Sequence, residues 1–234
     1  MSEAEIVIAP VTKTPSVTLK KVKSNPKVIA LIRGANEVMR AMGYTEHGLR
    51  HVEVVSGITR SLMKGLGMPR REVELATIAA FLHDIGNVVN RNDHPMIGAT
   101  IAFQLLDQMG MPAEEIAPIL GAIGNHEELA GQAVSVMSAA VIIADKSDVH
   151  RSRVQNPIME TFDIHDRVNY AVTESRVHLV PEAKTVTLEL TIDTSFATLM
   201  EYFEIFLSRM VMCRRACGLF GYRFSLDING TVLE

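Results

Sequence analysis

Five of the eight histidines in this 234-residue chain fall between residues 47 and 126, and one of them directly precedes an aspartate. This pair, His83-Asp84, follows the apolar residues 79–82. Burying a carboxylate beside such a segment is costly unless the charge has a strong partner, and a divalent cation is one. Adjacent side chains on a helix are about 100° apart, so both could approach one ion. The other interpretation is structural, a His-Asp pair that caps a helix end.

Four more residues of ligand type lie along the same part of the chain. His51 opens a stretch with a helical pattern, and His94 and His126 follow His83 in similar surroundings. Asp145 closes the longest apolar-leaning run, residues 133–144. A lone histidine at such a place could instead hydrogen-bond a helix end.

Helix signals accompany these residues from residue 25 to about residue 174. Asn25-Pro26 predicts a helix start, with Asn as the N-cap and Pro in the first turn. Gly67-Met68-Pro69 and Gly110-Met111-Pro112 each place a glycine after one helix and a proline at the start of the next. Acidic residues follow both prolines, as the positive N-terminal end of a helix prefers. The candidate ligands should therefore be carried by a bundle of helices.

The pattern changes after residue 174. Alternating apolar and polar residues at 176–180 and 185–192 predict a β-hairpin. Residues 195–219 predict an amphipathic helix, and residues 222–228 predict another strand that is followed by the turn Asn229-Gly230. We therefore predict a mainly α fold in three parts. These are an N-terminal arm at 1–24, forming a short strand or an extended segment, a helical domain at 25–174 and a small C-terminal α+β unit at 175–234.

Composition and charge narrow the functional classes. A net charge of −4 and a pI near 6.1 do not favour a nucleic-acid-coating protein, although a local basic run at 20–27 precedes the first helix. The first residues lack the basic and apolar stretches of a secretory signal, and the run 133–144 is too short to span a bilayer. Cys213 and Cys217, four residues apart on a predicted helix, suit neither a disulfide nor a metal site. We expect a cytoplasmic protein with no membrane or nucleic-acid partner.

The order of the candidate ligands, H…HD…H…H…D, resembles that of the HD superfamily over about residues 40–155. The sequence around His94 is similar to that of members with two metals. The resemblance implies a helical HD domain with two divalent transition metal ions. Their donors suit Fe or Mn, with Zn or Ni as further options, better than an all-oxygen Mg²⁺ site. The first ion would be held by His51, His83, Asp84 and Asp145, and the second by His94, His126 and the bridging Asp84.

Two departures distinguish this chain from the cyclic-di-GMP-specific HD-GYP members of the superfamily. No GYP motif follows His126, and Asn125 stands where those enzymes have another histidine. Asn87 also replaces the lysine often found in the sequence HDIGK, which removes one expected phosphate contact. We therefore expect a dinuclear-type HD protein that is not an HD-GYP enzyme.

The resemblance implies a phosphohydrolase. A hydroxide that bridges the two cations would attack a phosphomonoester or phosphodiester of a small, nucleotide-like substrate. Asp84 would position both cations and this nucleophile. His47, four residues before His51, is similar to the general acid of related cyclic-nucleotide phosphodiesterases; the alternative is a surface histidine near a helix start.

Three basic residues follow the last candidate ligand. Lys146, Arg151 and Arg153 could bind the substrate phosphate, with Lys146 also close to the reacting groups because it adjoins Asp145. The alternative is a solvated helix end, where basic residues interact favourably with the helix dipole.

Two other functions are compatible with the sequence. Some HD proteins with a similar ligand set hold a di-iron centre that activates oxygen and cleaves a C–C or C–P bond. A second alternative is a non-catalytic sensing or scaffolding module, but such modules usually lose ligands, and this chain keeps them.

We also expect a homodimer formed through the C-terminal unit, because its helix has more apolar residues than a small sheet needs. These residues are Phe203, Ile205, Phe206, Met210 and Met212.

Overall fold

The computed structural model describes residues 17–128 and 131–233. Within these residues the chain is mainly α-helical, as predicted, and none of the helices is long and apolar enough to cross a lipid bilayer. The α-helices are α1 (Leu19–Ser24), α2 (Pro26–Ala41), α3 (Leu49–Gly65), α4 (Arg70–Leu82), α5 (His94–Gln108), α6 (Ala113–Gly124), α7 (Val136–Ser147), α8 (Ile164–Ala171) and α9 (Leu199–Leu219). The strands are β1 (Val172–Val180), β2 (Thr185–Ile192), β3 (Arg223–Ile228) and β4 (Thr231–Leu233), and the 3-10 helices are Ile85–Val88, Arg151–Arg153 and Met159–Thr161.

The predicted helix boundaries in the first half of the chain are confirmed. The Asn25 side chain caps α2 by accepting a hydrogen bond from the Lys27 amide, and Pro26 is the first residue of that helix. Gly67 and Gly110 follow α3 and α5 in the left-handed region, with φ of 71° and 80°. In both Gly-Met-Pro segments, the next helix begins directly after the proline.

The predicted N-terminal arm is only partly within the described residues, since residues 1–16 lie outside them. The expected strand or extended segment is wrong for residues 19–24, which form α1 with Thr18 as its N-cap. Leu19 and Val22 are three residues apart and thus share one helix face, which is buried against the core. The lysines between and after them occupy the outer face, so the basic run belongs to an amphipathic helix.

Two central helices carry three of the candidate ligands. Residues 75–85, from the middle of α4 onward, are buried without interruption, and so are residues 137–149, which include most of α7. Helices that are apolar on all sides must lie inside a bundle rather than on its surface. His83 and Asp84 at the end of α4, and Asp145 in α7, are therefore held in the interior by the packing of their own helices.

The C-terminal strands form one sheet in the order β1-β2-β3-β4. The predicted hairpin of β1 and β2 is antiparallel around the turn 181–184, and β1 begins earlier than predicted, at Val172. α9 connects β2 to β3, which pair in parallel. β3 and β4 then pair around Asn229-Gly230, whose left-handed φ values of 52° and 80° suit a tight hairpin turn.

α9 packs on α7 and joins the helical body to the sheet. Met212 and Cys217 on this helix, together with Val186 in the sheet, belong to the same hydrophobic core as α4 and α7. Phe206 and Met210 on the same helix are buried in a second core beneath the sheet. Most of the apolar residues that suggested a dimer are therefore used inside the chain. Self-association and the three-part division both stay predictions.

Candidate metal centre

All six predicted ligands lie in one buried cluster near the ends of helices. Each has no more than 8% of its surface exposed. They are His51 in the first turn of α3, His83 and Asp84 after α4, His94 at the start of α5, His126 after α6 and Asp145 in the last turn of α7.

One half of the cluster contains the first histidine pair, His51 and His83. Their Nε2 atoms are 3.2 Å apart. Oδ2 of Asp84 lies 3.4 Å from each of these nitrogens. Oδ1 of Asp145 lies 3.2 Å from the His51 nitrogen and 3.5 Å from that of His83. Two imidazoles and two carboxylates thus converge on one small volume.

The other half contains the second histidine pair, His94 and His126. Their Nε2 atoms are 3.0 Å apart. The second oxygen of Asp84, Oδ1, lies 3.4 Å from the His94 nitrogen and 3.6 Å from that of His126. Asp84 therefore presents one carboxylate oxygen to each histidine pair. Glu127 is a further neighbour, with Oε2 3.5 Å from Nε2 of His94.

Hydrogen bonds from Nδ1, the ring nitrogen that points away from the cluster, fix all four imidazoles in the same tautomer. Nδ1 of His83 donates to the Ala80 carbonyl at 2.7 Å, and His94 and His126 make equivalent bonds to backbone carbonyls at 2.8 and 2.6 Å. His51 donates instead to the Asp148 carboxylate at 2.7 Å. Because Nδ1 carries the proton, each Nε2 faces the cluster with its lone pair, as in metal-ligating histidines.

The donor set fits bound cations. Two lone pairs about 3 Å apart repel each other unless a positive charge lies near them both. Oδ1 of Asp84 accepts a hydrogen bond from the Asn87 amide at 2.8 Å, whereas Oδ2 is buried without a hydrogen-bond partner among the described residues. Such a carboxylate oxygen is costly to bury unless a cation satisfies it. Imidazole nitrogens and carboxylate oxygens suit divalent transition metals.

The pKa values of the two pairs shift in opposite directions. Burial by itself lowers the pKa of an imidazole, but at His83 the Asp84 and Asp145 carboxylates overcome this effect and raise the pKa to about 10. At His94 burial prevails, and the pKa falls to about 3. The partner imidazole in each pair shifts in the same direction. The first pair therefore lies in the more anionic environment, which favours a positive charge between its Nε2 atoms, either a proton or the metal ion that replaces it.

Gly86, directly after Asp84 and Ile85, allows the second pair to approach the first. A Cβ atom on Gly86 would lie 2.0 Å from the His94 carbonyl oxygen and 2.5 Å from the Gly98 amide nitrogen. Both neighbours are backbone atoms of α5, so no side-chain rotation could relieve the contact. Only glycine lets the start of α5 pack this closely against the 3-10 helix after α4.

Asp148 supports the first pair from outside, and it belongs to no motif by which it could have been identified. Besides His51, it binds the Arg50 guanidinium at 3.2 and 2.6 Å. Arg153, predicted to bind phosphate, donates instead to the backbone carbonyls of Asp148 and Glu46. Arg153 is 3% exposed, so its position indicates that it fixes Asp148 and the segment before α3.

The other predicted phosphate-binding residues occupy different positions. Nζ of Lys146 lies 2.8 Å from Oδ2 of Asp145 and 3.1 Å from Oε1 of Glu128, so this buried cation is paired inside the cluster. Arg151 stacks on the ring of Tyr170, 5.1 Å from its centroid, and lines neither of the cavities beside the cluster. The structure does not bring Arg151 to the candidate ligands.

His47 reaches the cluster by a route that the helical spacing did not predict. α3 begins at Leu49, so His47 precedes the helix, yet its ring centroid lies 5.6 Å from that of His51. Its Nδ1 donates a hydrogen bond to the Thr45 carbonyl at 2.6 Å, so Nδ1 carries the proton of the neutral ring and Nε2 carries none. Burial lowers the pKa of His47 well below its usual value, and the nearby Arg153 lowers it further.

Two adjoining cavities connect the cluster to solvent. The inner chamber, about 10 Å³, is bounded by Asp84, His126 and Asp145 among others. The outer cleft, about 450 Å³, is lined by residues 42–45, His47 and residues of α8 and α9, among others. The residues that line both cavities are His47, Arg91, Glu127 and Arg209. Of these, only His47 was singled out from the sequence, because the other three belong to no motif and lie far apart along the chain.

Comparison with known proteins agrees with this geometry. Residues 48–152 match the family model described as the HD domain. The matched segment includes all six candidate ligands. The chain is also 26% identical, over 174 residues, to an uncharacterised protein of Methanocaldococcus jannaschii, an alignment that covers 64% of this chain and 67% of the relative.

Proposed function

We propose that this chain, which contains an HD domain at residues 48–152, is a phosphohydrolase that uses two divalent cations to hydrolyse a small, nucleotide-like phosphate ester. The observation that carries the proposal is the position of Asp84, whose two carboxylate oxygens face different histidine pairs. A carboxylate in this position could bridge two cations, each held by one histidine pair, as a two-cation site for phosphoester hydrolysis would use it.

The proposed ligand assignment follows the two halves of the cluster. His51, His83 and Asp145 would hold one cation together with Oδ2 of Asp84. His94 and His126 would hold the other together with Oδ1 of Asp84. Glu127, which the sequence interpretation did not include, is a further candidate for this second position. Fe and Mn are our first choices, and Zn and Ni are also compatible with these donors.

When bound, the cations supply an activated water and neutralise charge on the phosphate. The chain positions the components of this reaction. Asp84 is held at Oδ1 by the Asn87 amide, and Asp145 is held by the Lys146 ammonium, so both carboxylates are fixed before substrate binds. His47 lines both the chamber and the cleft, and it stays our candidate for protonating the leaving oxygen. Because its pKa is low in the free protein, His47 would have to take up this proton when the anionic substrate binds beside it.

The experiment that tests this function uses protein purified without oxygen and loaded separately with Fe, Mn, Zn or Ni. Release of the alcohol or phosphate should be measured over a panel of phosphomonoesters, phosphodiesters and nucleotides. We expect at least one metal to support hydrolysis, with Asp84→Asn as the inactive control. Consumption of dioxygen by the iron-loaded protein, without hydrolysis of any ester, would contradict the proposal and favour the di-iron oxygenase alternative. Metal binding without either activity would favour a sensing module.

A further inference from the structure

The outer cleft has one wall that lies outside the HD-domain match. Arg91, Glu127 and Glu128 line the cleft from within the matched segment, while α8 and α9 line it from beyond the end of that segment. α9 contains no candidate ligand, and from the sequence it was expected to serve self-association. In the structure, however, Arg209 on this helix lines the inner chamber as well as the cleft.

Arg91 and Arg209, which line both the chamber and the cleft, have matching environments. Arg91 lies 3.0 Å from Oε2 of Glu127 and stacks 6.0 Å from the centroid of Tyr44. Arg209 lies 3.0 Å from Oε1 of Glu128 and stacks 4.5 Å from the centroid of Phe206. About a fifth of the Arg91 side chain and a quarter of the Arg209 side chain are exposed. Each guanidinium is thus oriented by one ring and one carboxylate while remaining accessible, and that of Arg91 also lies 3.3 Å from Nε2 of His94.

We propose that Arg91 and Arg209 bind the phosphate group of the substrate at the opening of the inner chamber, so that α9 completes the active site. This inference rests on the proposed phosphohydrolase function. A guanidinium carries five N–H donors in a planar fork, and one carboxylate engages only part of them. Two such groups at one opening can bind several phosphate oxygens at once.

The other cations near the cluster are less suited to this role. Lys146 and Arg153 are each less than 5% exposed, and their donors are engaged by carboxylates or backbone carbonyls. Arg151 lines neither cavity. None of the three cations considered from the sequence is both accessible and located where chamber and cleft meet. Arg91 and Arg209 have both properties.

Binding the phosphate at this junction fixes the direction of the substrate. The chamber of about 10 Å³ has no room for an organic group, so the alcohol portion of the ester lies in the outer cleft. The cleft volume of about 450 Å³ is within the range of small-molecule sites. Tyr44, His165 and Asn169 line it and offer ring and amide contacts to a planar, polar group such as a nucleobase.

The test uses inorganic phosphate as the probe and isothermal titration of the metal-loaded protein as the readout, so it does not require turnover. Arg209→Gln should weaken phosphate binding by about 10- to 100-fold, which is the effect expected for a lost charge-assisted hydrogen bond. Arg209→Lys should retain part of the affinity, because it keeps the charge and loses the fork. Arg215→Gln is the matched control, since Arg215 is exposed on the same helix, and it should bind phosphate as the wild type does.

A second variant separates direct binding from damage to the ion pair. Glu128→Gln removes this pair, and with it the pair between Glu128 and Lys146, but it keeps the guanidinium and the Phe206 ring that orients it. Metal-loaded Glu128→Gln should therefore lose less phosphate affinity than Arg209→Gln. Equal losses in Glu128→Gln and Arg209→Gln would overturn the inference, as would wild-type affinity in Arg209→Gln. A wild-type protein that is fully loaded with metal and binds no phosphate would instead contradict the proposed function itself.

Discussion

The two histidine pairs share Asp84 but lie in different surroundings. The first pair is carried by α3 and the end of α4 and faces Asp145, and the outer nitrogen of His51 is bound by a further carboxylate, Asp148. The second pair lies at the start of α5 and in the segment after α6, where the guanidinium of Arg91 is 3.3 Å from Nε2 of His94. One half is interior and anionic, while the other borders the cleft beside a cation.

This difference predicts unequal metal sites. Three carboxylates around the first pair strengthen cation binding, and long buried helices keep its imidazoles in place. Near the second pair, Arg91 repels a cation, and Glu127 is shared between Arg91 and His94. We therefore expect the first pair to bind metal more tightly, and the second pair to exchange its ion more readily.

The largest effect is expected from Asp84→Asn, because this side chain presents one oxygen to each histidine pair. Removing its charge should lower the bound metal at both positions and abolish turnover. Elemental analysis and the ester assay measure the two effects separately. A purified variant with full metal content and near-normal hydrolysis would show that Asp84 is not the bridging residue.

His47→Ala tests whether the first half of the site also supplies a proton. His47 contacts the His51 ring, and the second pair has Arg91 in the corresponding position. Loss of a general acid should slow esters with poor leaving groups by about 10²- to 10⁴-fold and leave metal content unchanged. An activated aryl phosphate, which needs no proton, should react at nearly the wild-type rate. Equal losses on both esters, with less bound metal, would assign His47 a structural role.

Asp148→Asn and Glu127→Gln should affect different halves of the site. Asp148 supports His51, and replacing such a partner weakens metal binding by about 10- to 100-fold, here at the first pair only. Glu127→Gln should weaken only the more exchangeable ion, since Glu127 borders His94. Competition with a metal chelator resolves the two sites. If both variants changed the same site, the proposed division of the cluster would be wrong.

Two glycine variants should have the smallest effects, and of opposite sign. Gly86→Ala forces a Cβ against the backbone of α5, which we expect to cost about 1–3 kcal/mol of folding free energy and to displace the second pair. Gly57→Ala, inside α3 with no atom near the added Cβ, should stabilise the protein by roughly 0.5–1 kcal/mol. Denaturant unfolding measures both. A Gly86→Ala protein as stable as the wild type would contradict the described packing.

The sequence predicted the elements and ligand-type residues better than it predicted their surroundings. Asn25-Pro26, the two Gly-Met-Pro segments and the C-terminal hairpin are local signals, and each corresponds to an observed boundary or turn. The H…HD…H…H…D order is also readable because each residue type is uncommon inside a helical core. α1 was missed because a six-residue segment with two buried residues is too short to show a helical period.

The supporting residues could not be predicted, since only tertiary contacts give them a role. Asp148 and Arg209 are ordinary charged residues in the sequence, and their partners lie up to 98 positions away along the chain. The basic residues 146–153 were interpreted together, yet packing sends their side chains in different directions: Lys146 and Arg153 inward, and Arg151 onto Tyr170. Composition alone carries no information about such directions.

The most direct test of the two-cation account is elemental analysis of fully loaded protein, comparing the wild type with His126→Ala. His126 belongs to the second pair and faces Oδ1 of Asp84, whereas the first pair faces Oδ2. The account predicts about two ions per chain in the wild type and no more than one tightly held ion in the variant. A wild-type stoichiometry that stays at one ion per chain under saturating metal would contradict it.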